Sequence, residues 1–370
     1  MSQKTMKIGV IGAGAISDIY LTNMIERFDN LEVIGVAARR LANAEKKAEK
    51  YGIRACTVEE LLAIPEIDMI VVLTPVGTHA QLIRQALLAG KHVYTEKTIT
   101  DDLDSAKELL TLANERGLVI GCAPDTFLGS ALQTGRKAIE DGLLGEITGF
   151  SAAANRCNDV LLSLFPFLRE PGAGIALDYG VYYITALVSL LGPVARTAAF
   201  VRAPYPTHVG VVPNRDDFGK TFDTPNESQI AATLQMESGV TGTLMMDADT
   251  VMQDQAHMVI YGTKGMLYLC DPNGFGGEVR LLPETFLTNP AGSAPVVLEP
   301  VNPYSENSRG IGPSEMADAI LNGRRNRTAC EMAVHVLDVL ASILKSGETG
   351  TFVNVETTCE MPAPFYAGGE

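Results

Sequence analysis

A chain of 370 residues is longer than one ordinary domain and suits two, each able to bury a core of its own. Hydrophobic residues make up 46% and charged residues 20%, a balance that excludes disordered and fibrous classes. The net charge of -15, with no local block of Lys and Arg, argues against nucleic acid and anionic membranes as partners.

The opening MSQKTMKIGVIGAG runs straight into a strand pattern and lacks the apolar core and small-residue cleavage site of a secretory signal. The six cysteines are widely spaced, with no CxxC pair and no Cys/His cluster, so the expectation is a reducing cytoplasm and no metal. Six short β-branched runs follow one another, KIGVIGAG, LEVIGVAA, IRAC, DMIVVLT, KHVYTE and GLVIGCA. Between them, 16–28, 41–51, 58–63, 79–89 and 103–115 read as helices, several closed by Gly52, Gly90 or Gly117. Strands alternating with helices predict a parallel, doubly wound Rossmann sheet, a dinucleotide-binding domain over 1–124.

After Pro124 the rhythm changes. A helical stretch, a strand over 146–155 and an apolar helix over 177–191 precede QIAATLQM, VTGTLMMD, HMVIYG and GMLYLC, whose lengths and turn residues suit antiparallel pairing. The most apolar part, 181–195, is stopped by Gly192-Pro193 and is shorter than the roughly 20 residues of a bilayer span. Residues 206–225 and 272–313 read as loops, 314–322 and 330–344 as helices, and TFVNVE as a last short strand. The expectation for 125–370 is an α+β substrate-binding and oligomerisation domain.

Gly12-Ala-Gly14-Ala15-Ile16-Ser17 follows a buried strand and opens a helix, where free backbone N–H groups can receive a pyrophosphate. The second strand ends Ala37-Ala38-Arg39-Arg40, with no carboxylate to hold a ribose; paired guanidiniums there favour NADP(H), with NAD(H) still possible.

Three further motifs stand in order: Thr74-Pro75 with His79; Ala89-Gly-Lys-His92-Val-Tyr-Thr-Glu96-Lys97; and Gly172-Ala-Gly174-Ile-Ala-Leu-Asp178-Tyr-Gly-Val-Tyr182. With the glycine motif they resemble, over nearly the whole chain, the glucose-fructose oxidoreductase / inositol 2-dehydrogenase (Gfo/Idh/MocA) family. The resemblance implies a Rossmann domain followed by a domain with a large, mostly antiparallel open sheet, a substrate held between that sheet and the nicotinamide, and a homodimer or homotetramer formed through the sheet's outer face. It extends the expected cofactor set from Gly12, Gly14, Ala15, Ile16, Arg39 and Arg40 to Thr74, Pro75, His79, Glu96 and Lys97. It places Lys97 near the nicotinamide and makes Asp178 and Tyr182 the polar pair of the second domain's first long helix. Tyr182 stands where many members have His, a version similar to dimeric dihydrodiol dehydrogenase. Two departures stand out: Val76 replaces a common Asn, and Thr98 replaces the proline of Glu-Lys-Pro, where a cis bond without proline costs ~3 kcal/mol.

The chemistry these residues imply is NAD(P)-dependent oxidation of a CH–OH carbon, or reduction of the carbonyl, on a sugar, inositol, glycoside or related small molecule. Tyr182 would exchange the proton, Lys97 would polarise the substrate oxygen and Asp178 would orient one or both; Lys97 as general base reverses the first two roles. One helical turn separates Asp178 from Tyr182, so the two share a face. Arg156 with Asn155, and Arg169 ahead of the 171–174 loop, are further candidates for substrate hydroxyls or a carboxylate. His79 is expected to cap or pack the fourth helix and His92 to be a core residue. Two other readings remain open on sequence: a redox-neutral lyase or glycosidase with tightly bound NAD(H), and a non-catalytic dinucleotide sensor.

Overall fold

A computed structural model describes residues 5–251 and 256–366. The chain divides into two compact units, one of residues 1–128 and 307–334, the other of 129–306 and 335–370.

The first unit is built on a six-stranded parallel sheet of order β3-β2-β1-β4-β5-β6, from β1 (Met6–Ile11), β2 (Leu31–Ala37), β3 (Arg54–Cys56), β4 (Met69–Val72), β5 (His92–Thr95) and β6 (Ile120–Cys122). Every residue of β4 is buried, as expected for a central parallel strand covered on both faces. The crossovers carry α1 (Ile16–Glu26), α2 (Leu41–Tyr51), α3 (Val58–Ala63), α4 (His79–Leu88) and α5 (Leu103–Arg116). Gly52 and Gly117 take the left-handed conformation that ends α2 and α5, at φ 67 and 63. Thr57 and Glu60 form a reciprocal capping box at the start of α3.

The second unit holds α6 (Ser130–Glu140), β7 (Ile147–Asn155), α7 (Asn158–Leu164), α8 (Val181–Leu191) and β8 (Val194–Arg202). A small antiparallel pair, β9 (Thr207–Val209) and β10 (Thr221–Asp223), follows, then β11 (Gln229–Met236), β12 (Thr241–Asp247), β13 (Ala256–Gly262), β14 (Gly265–Leu269), β15 (Arg280–Pro283), α9 (Thr285–Thr288) and β16 (Val296–Val297). The first unit then receives α10 (Ile311–Asn322), α11 spans Cys330–Thr349, and β17 (Val353–Asn354) ends the series. The large sheet has nine strands in the order β16-β15-β14-β13-β7-β12-β11-β8-β17. Only β7 and β12 among its described pairs run parallel, in register from Gly149–Thr241 to Asn155–Asp247. One face is core, with Ile230, Leu234, Leu244, Met246, Met258 and Ile260 buried. The register lines Phe200, Ala231 and Met245 across three neighbouring strands on the opposite face, and all three are exposed.

The doubly wound sheet and the mostly antiparallel sheet are both as expected from sequence. The two loop expectations need correction. The region 206–225, read as loop, contains β9 and β10, and 272–313 contains β15, α9 and β16; strands of two to four residues are too short to show alternation. The nine-residue β8 had no counterpart in the reading, since its alanines weaken any strand signal. The Lys97–Thr98 bond is cis although Thr98 replaces proline. Hydrogen bonds fix the residue after that bond: the Thr98 hydroxyl donates to Thr100 O at 2.8 Å, and Thr98 O lies 2.8 Å from His79 Nδ1.

Candidate functional site

The carboxyl ends of the parallel strands gather the first unit's candidate residues. Gly12 leaves β1 at φ 126, and its N–H donates to Ala37 O at 2.8 Å, locking the turn to the end of β2. A Cβ there would stand 2.6 Å from Leu73 O, so only glycine lets the chain pass the end of β4. At Gly14, by contrast, a Cβ would meet nothing within 4 Å. Ala15 and Ile16 are exposed, and the start of α1 has no side-chain cap. Orphan N–H groups, open space and a helix N-terminus together suit an extended diphosphate, so the residues present fit a dinucleotide. Arg39 and Arg40 lie exposed just past β2, and Arg40 precedes α2.

After β4, Thr74 and Pro75 enter a short 3-10 turn over Val76–Thr78, stabilised by the Thr78 hydroxyl on Pro75 O at 2.8 Å. His79 opens α4 and is fully buried, with Nε2 2.7 Å from Thr74 O and Nδ1 2.8 Å from Thr98 O. Burial pushes its pKa down, against the pull of the two carbonyls. The imidazole therefore ties the loop after β4 to the loop after β5. Past β5, Glu96 uses both carboxylate oxygens inside the unit: Tyr20 Oη donates to Oε1 at 2.7 Å, and the Lys97 N–H donates to Oε2 at 3.1 Å. Lys97 is partly exposed at the same sheet edge.

In the second unit, Asp178 lies within a single π-turn, Ala176–Gly180, that runs into α8, where Tyr182 is the second residue. π-Turns inserted ahead of α-helices recur at functional sites. Asp178 is partly exposed and Tyr182 is 8% exposed. The turn is held by two residues absent from the sequence reading. Glu227 Oε1 accepts the Ala176 N–H at 2.9 Å, and Glu227 O accepts that of Ile175 at 3.2 Å. Asn226 accepts the Gly172 N–H at 3.0 Å and donates to Leu168 O and Glu170 O. Gly174 passes so close to the Glu227 carboxylate that a Cβ would overlap it. Burial pushes the Glu227 pKa up, while the Ala176 N–H opposes it.

Arg156, expected to meet substrate, stacks its guanidinium 4.0 Å over the Tyr179 ring. The Tyr179 hydroxyl in turn donates to Asp271 Oδ2 at 2.5 Å, and burial together with that carboxylate pushes its pKa above the usual phenol value. Tyr182 packs edge-on against the same ring, with centroids 6.1 Å apart. Arg156 and Tyr182 thus both pack on Tyr179 of the π-turn. Arg169 is instead engaged in structure, stacked on Phe222 at 3.6 Å and paired with Asp217. Among the described residues no group of three His, Cys, Asp or Glu side chains is arranged to hold a metal ion, and no helix is long and apolar enough to cross a membrane.

Comparison with known proteins matches residues 6–123 to the model of an oxidoreductase family with an NAD-binding Rossmann fold, and residues 132–268 to the GFO/IDH/MocA C-terminal domain. An uncharacterised oxidoreductase of Schizosaccharomyces pombe is 30% identical over 191 residues, 50% of this chain and 52% of its own. The chain spans about half the length of that relative. D-glucoside 3-dehydrogenase of Escherichia coli is 24% identical over 366 residues, 96% of this chain and 99% of its own. A solved levoglucosan dehydrogenase in complex with NADH shares the fold, with a TM-score of 0.82 and 18% identity over 96% of this chain and 100% of its own.

Proposed function

The chain belongs to the Gfo/Idh/MocA oxidoreductase family, and on that premise we propose that it moves a hydride between a nicotinamide dinucleotide and a CH–OH or C=O carbon of a sugar or glycoside. The observation that carries this reading is the convergence, at one edge of the parallel sheet, of the Gly12–Gly14 turn, the uncapped start of α1 and Lys97. A glycoside-oxidising relative matched over almost the full length supports the substrate class. NADP(H) is the favoured form, supported by the exposed Arg39–Arg40 pair and the lack of an acidic residue at the end of β2.

When bound, the nicotinamide ring supplies the carbon that takes or gives the hydride. The protein supplies position and a proton path. Lys97 is assigned to the substrate oxygen, whose developing charge its ammonium stabilises. Tyr182 exchanges the hydroxyl proton, and Asp178, on the π-turn one helical turn earlier, orients the hydroxyl partners. Arg156, stacked on Tyr179, presents further donors to substrate hydroxyls. Tyr182 also supports placement in the tyrosine-bearing subgroup similar to dimeric dihydrodiol dehydrogenase.

The row of Phe200, Ala231 and Met245 on the uncovered sheet face, with Phe200 80% exposed, supports association of copies through that face. The catalytic assignment is tested by Tyr182→Phe, assayed by the absorbance of reduced cofactor on a panel of methyl glucosides and myo-inositol. Turnover should fall ~10²-fold with NADH binding unchanged; wild-type turnover rejects the proton-carrier role.

A further inference from the structure

Both oxygens of the carboxylate next to Lys97 are engaged inside the first unit. Glu96 Oε1 receives the Tyr20 hydroxyl at 2.7 Å and Oε2 receives the Lys97 backbone N–H at 3.1 Å. Tyr20 is fully buried on α1, in the helical turn after the one that opens at Ile16. Its ring cannot swing away without opening the core, and both its burial and the neighbouring Glu96 charge push its pKa well above that of a free phenol. The hydroxyl therefore stays protonated and remains the donor.

We propose that Tyr20 and Glu96 are positioning residues: the pair links α1, whose N-terminus suits the dinucleotide diphosphate, to the backbone of Lys97 and so sets where its ammonium stands. The inference rests on the assignment of Lys97 to the substrate oxygen. Two hydrogen bonds in series join the helix that carries the diphosphate contacts to the lysine, so a shift of α1 is passed to Lys97 through a rigid phenol and a short carboxylate. A displacement of ~1 Å at a reacting group is enough to cost ~10²-fold in rate.

The test uses the full chain with Tyr20→Phe, Glu96→Ala, Glu96→Gln and, in parallel, Lys97→Met. Three quantities are read: kcat on the methyl glucoside that gives most turnover, the Kd of NADH by fluorescence, and the hydrogen–deuterium exchange of the Lys97 amide by NMR or peptide mass spectrometry. Tyr20→Phe and Glu96→Ala should lower kcat ~10-fold or more, speed Lys97 amide exchange by a similar factor, and leave the Kd of NADH within about twofold. Glu96→Gln should recover most of both losses, because an amide can accept from Lys97 N–H and donate to the Tyr20 oxygen. The proposal is overturned if Tyr20→Phe and Glu96→Ala match wild type in kcat and exchange, or if Glu96→Gln is as impaired as Glu96→Ala, which would make charge and not position the cause. Full turnover by Lys97→Met overturns the assignment of Lys97 and the proposal with it; loss of turnover there with silent Tyr20 and Glu96 variants sinks the proposal alone.

Discussion

Two glycines two residues apart should respond to the same substitution in opposite ways. Gly12→Ala places a methyl 2.6 Å from Leu73 O and 2.7 Å from Leu73 C, about 0.8 Å inside ordinary contact, in a backbone conformation of φ 126 that L residues rarely adopt. Neither strand can yield: Leu73 N–H donates to Ile11 O at 2.8 Å, and Gly12 N–H donates to Ala37 O at 2.8 Å. Backbone strain alone costs ~1–3 kcal/mol and the overlap adds to it, so a loss of roughly 3 kcal/mol in folding stability is expected. Gly14→Ala meets nothing within 4 Å, and its effect on the free protein should stay within about 0.5 kcal/mol. The same methyl, however, occupies the space assigned to the diphosphate, and NADH affinity should fall at least ~10-fold, or ~1.4 kcal/mol. Urea unfolding measures the first quantity and nicotinamide fluorescence the second. Undiminished NADH binding by Gly14→Ala refutes the placement of the dinucleotide on this turn, and wild-type stability in Gly12→Ala refutes the steric account of Gly12.

Replacing Arg39 and Arg40 together by Ala should weaken NADPH binding by about tenfold and leave NADH within about twofold, read by the same titration; equal losses for both would remove the argument for the phosphorylated form. Asp125 is 1% exposed and its Oδ2 accepts the N–H groups of Gly310 and Gly312 at 3.2 and 3.1 Å, while burial raises its pKa from 3.8 to about 6. Between about pH 4 and 6 the folded protein holds a proton there that the unfolded chain has released, so native stability relative to Asp125→Asn should rise as pH falls through that window and level off above it. Urea midpoints across the range check this, and a pH-independent difference contradicts it.

The parallel half was legible because each of its elements carries its own local signal. β-Branched runs mark the strands, Gly52 and Gly117 mark the helix ends, and the Gly12–Gly14 turn falls where β1 meets α1. Lys97, Asp178 and Tyr182 were found through motifs, and the sequence could place them on elements without showing what holds them. Their supports are non-local. Tyr20 reads like any core aromatic of α1, and nothing ties it to Glu96 until β1 and β5 take their places in one sheet. Glu227 and Asn226 follow a region read as loop and act on the glycine stretch 172–176 from about fifty residues away. Arg156 was singled out for substrate, and its engagement with Tyr179 depends on a helix packing that periodicity does not encode. The π-turn was likewise hidden, since the apolar pattern of 177–191 is equally compatible with unbroken α-helix.

The return of residues 307–334 to the first unit bears on how the protein emerges from the ribosome. Gly310 and Gly312 close over Asp125, and Asn23 of α1 donates to Asn307 O and Arg309 O, so the dinucleotide unit keeps open backbone and side-chain partners until this late segment is made. About 200 residues separate Leu128 from Val334, which at 5–20 residues per second is a delay of ~10–40 s. The unit whose strands are translated first is thus completed after nearly all of the larger sheet has been synthesised.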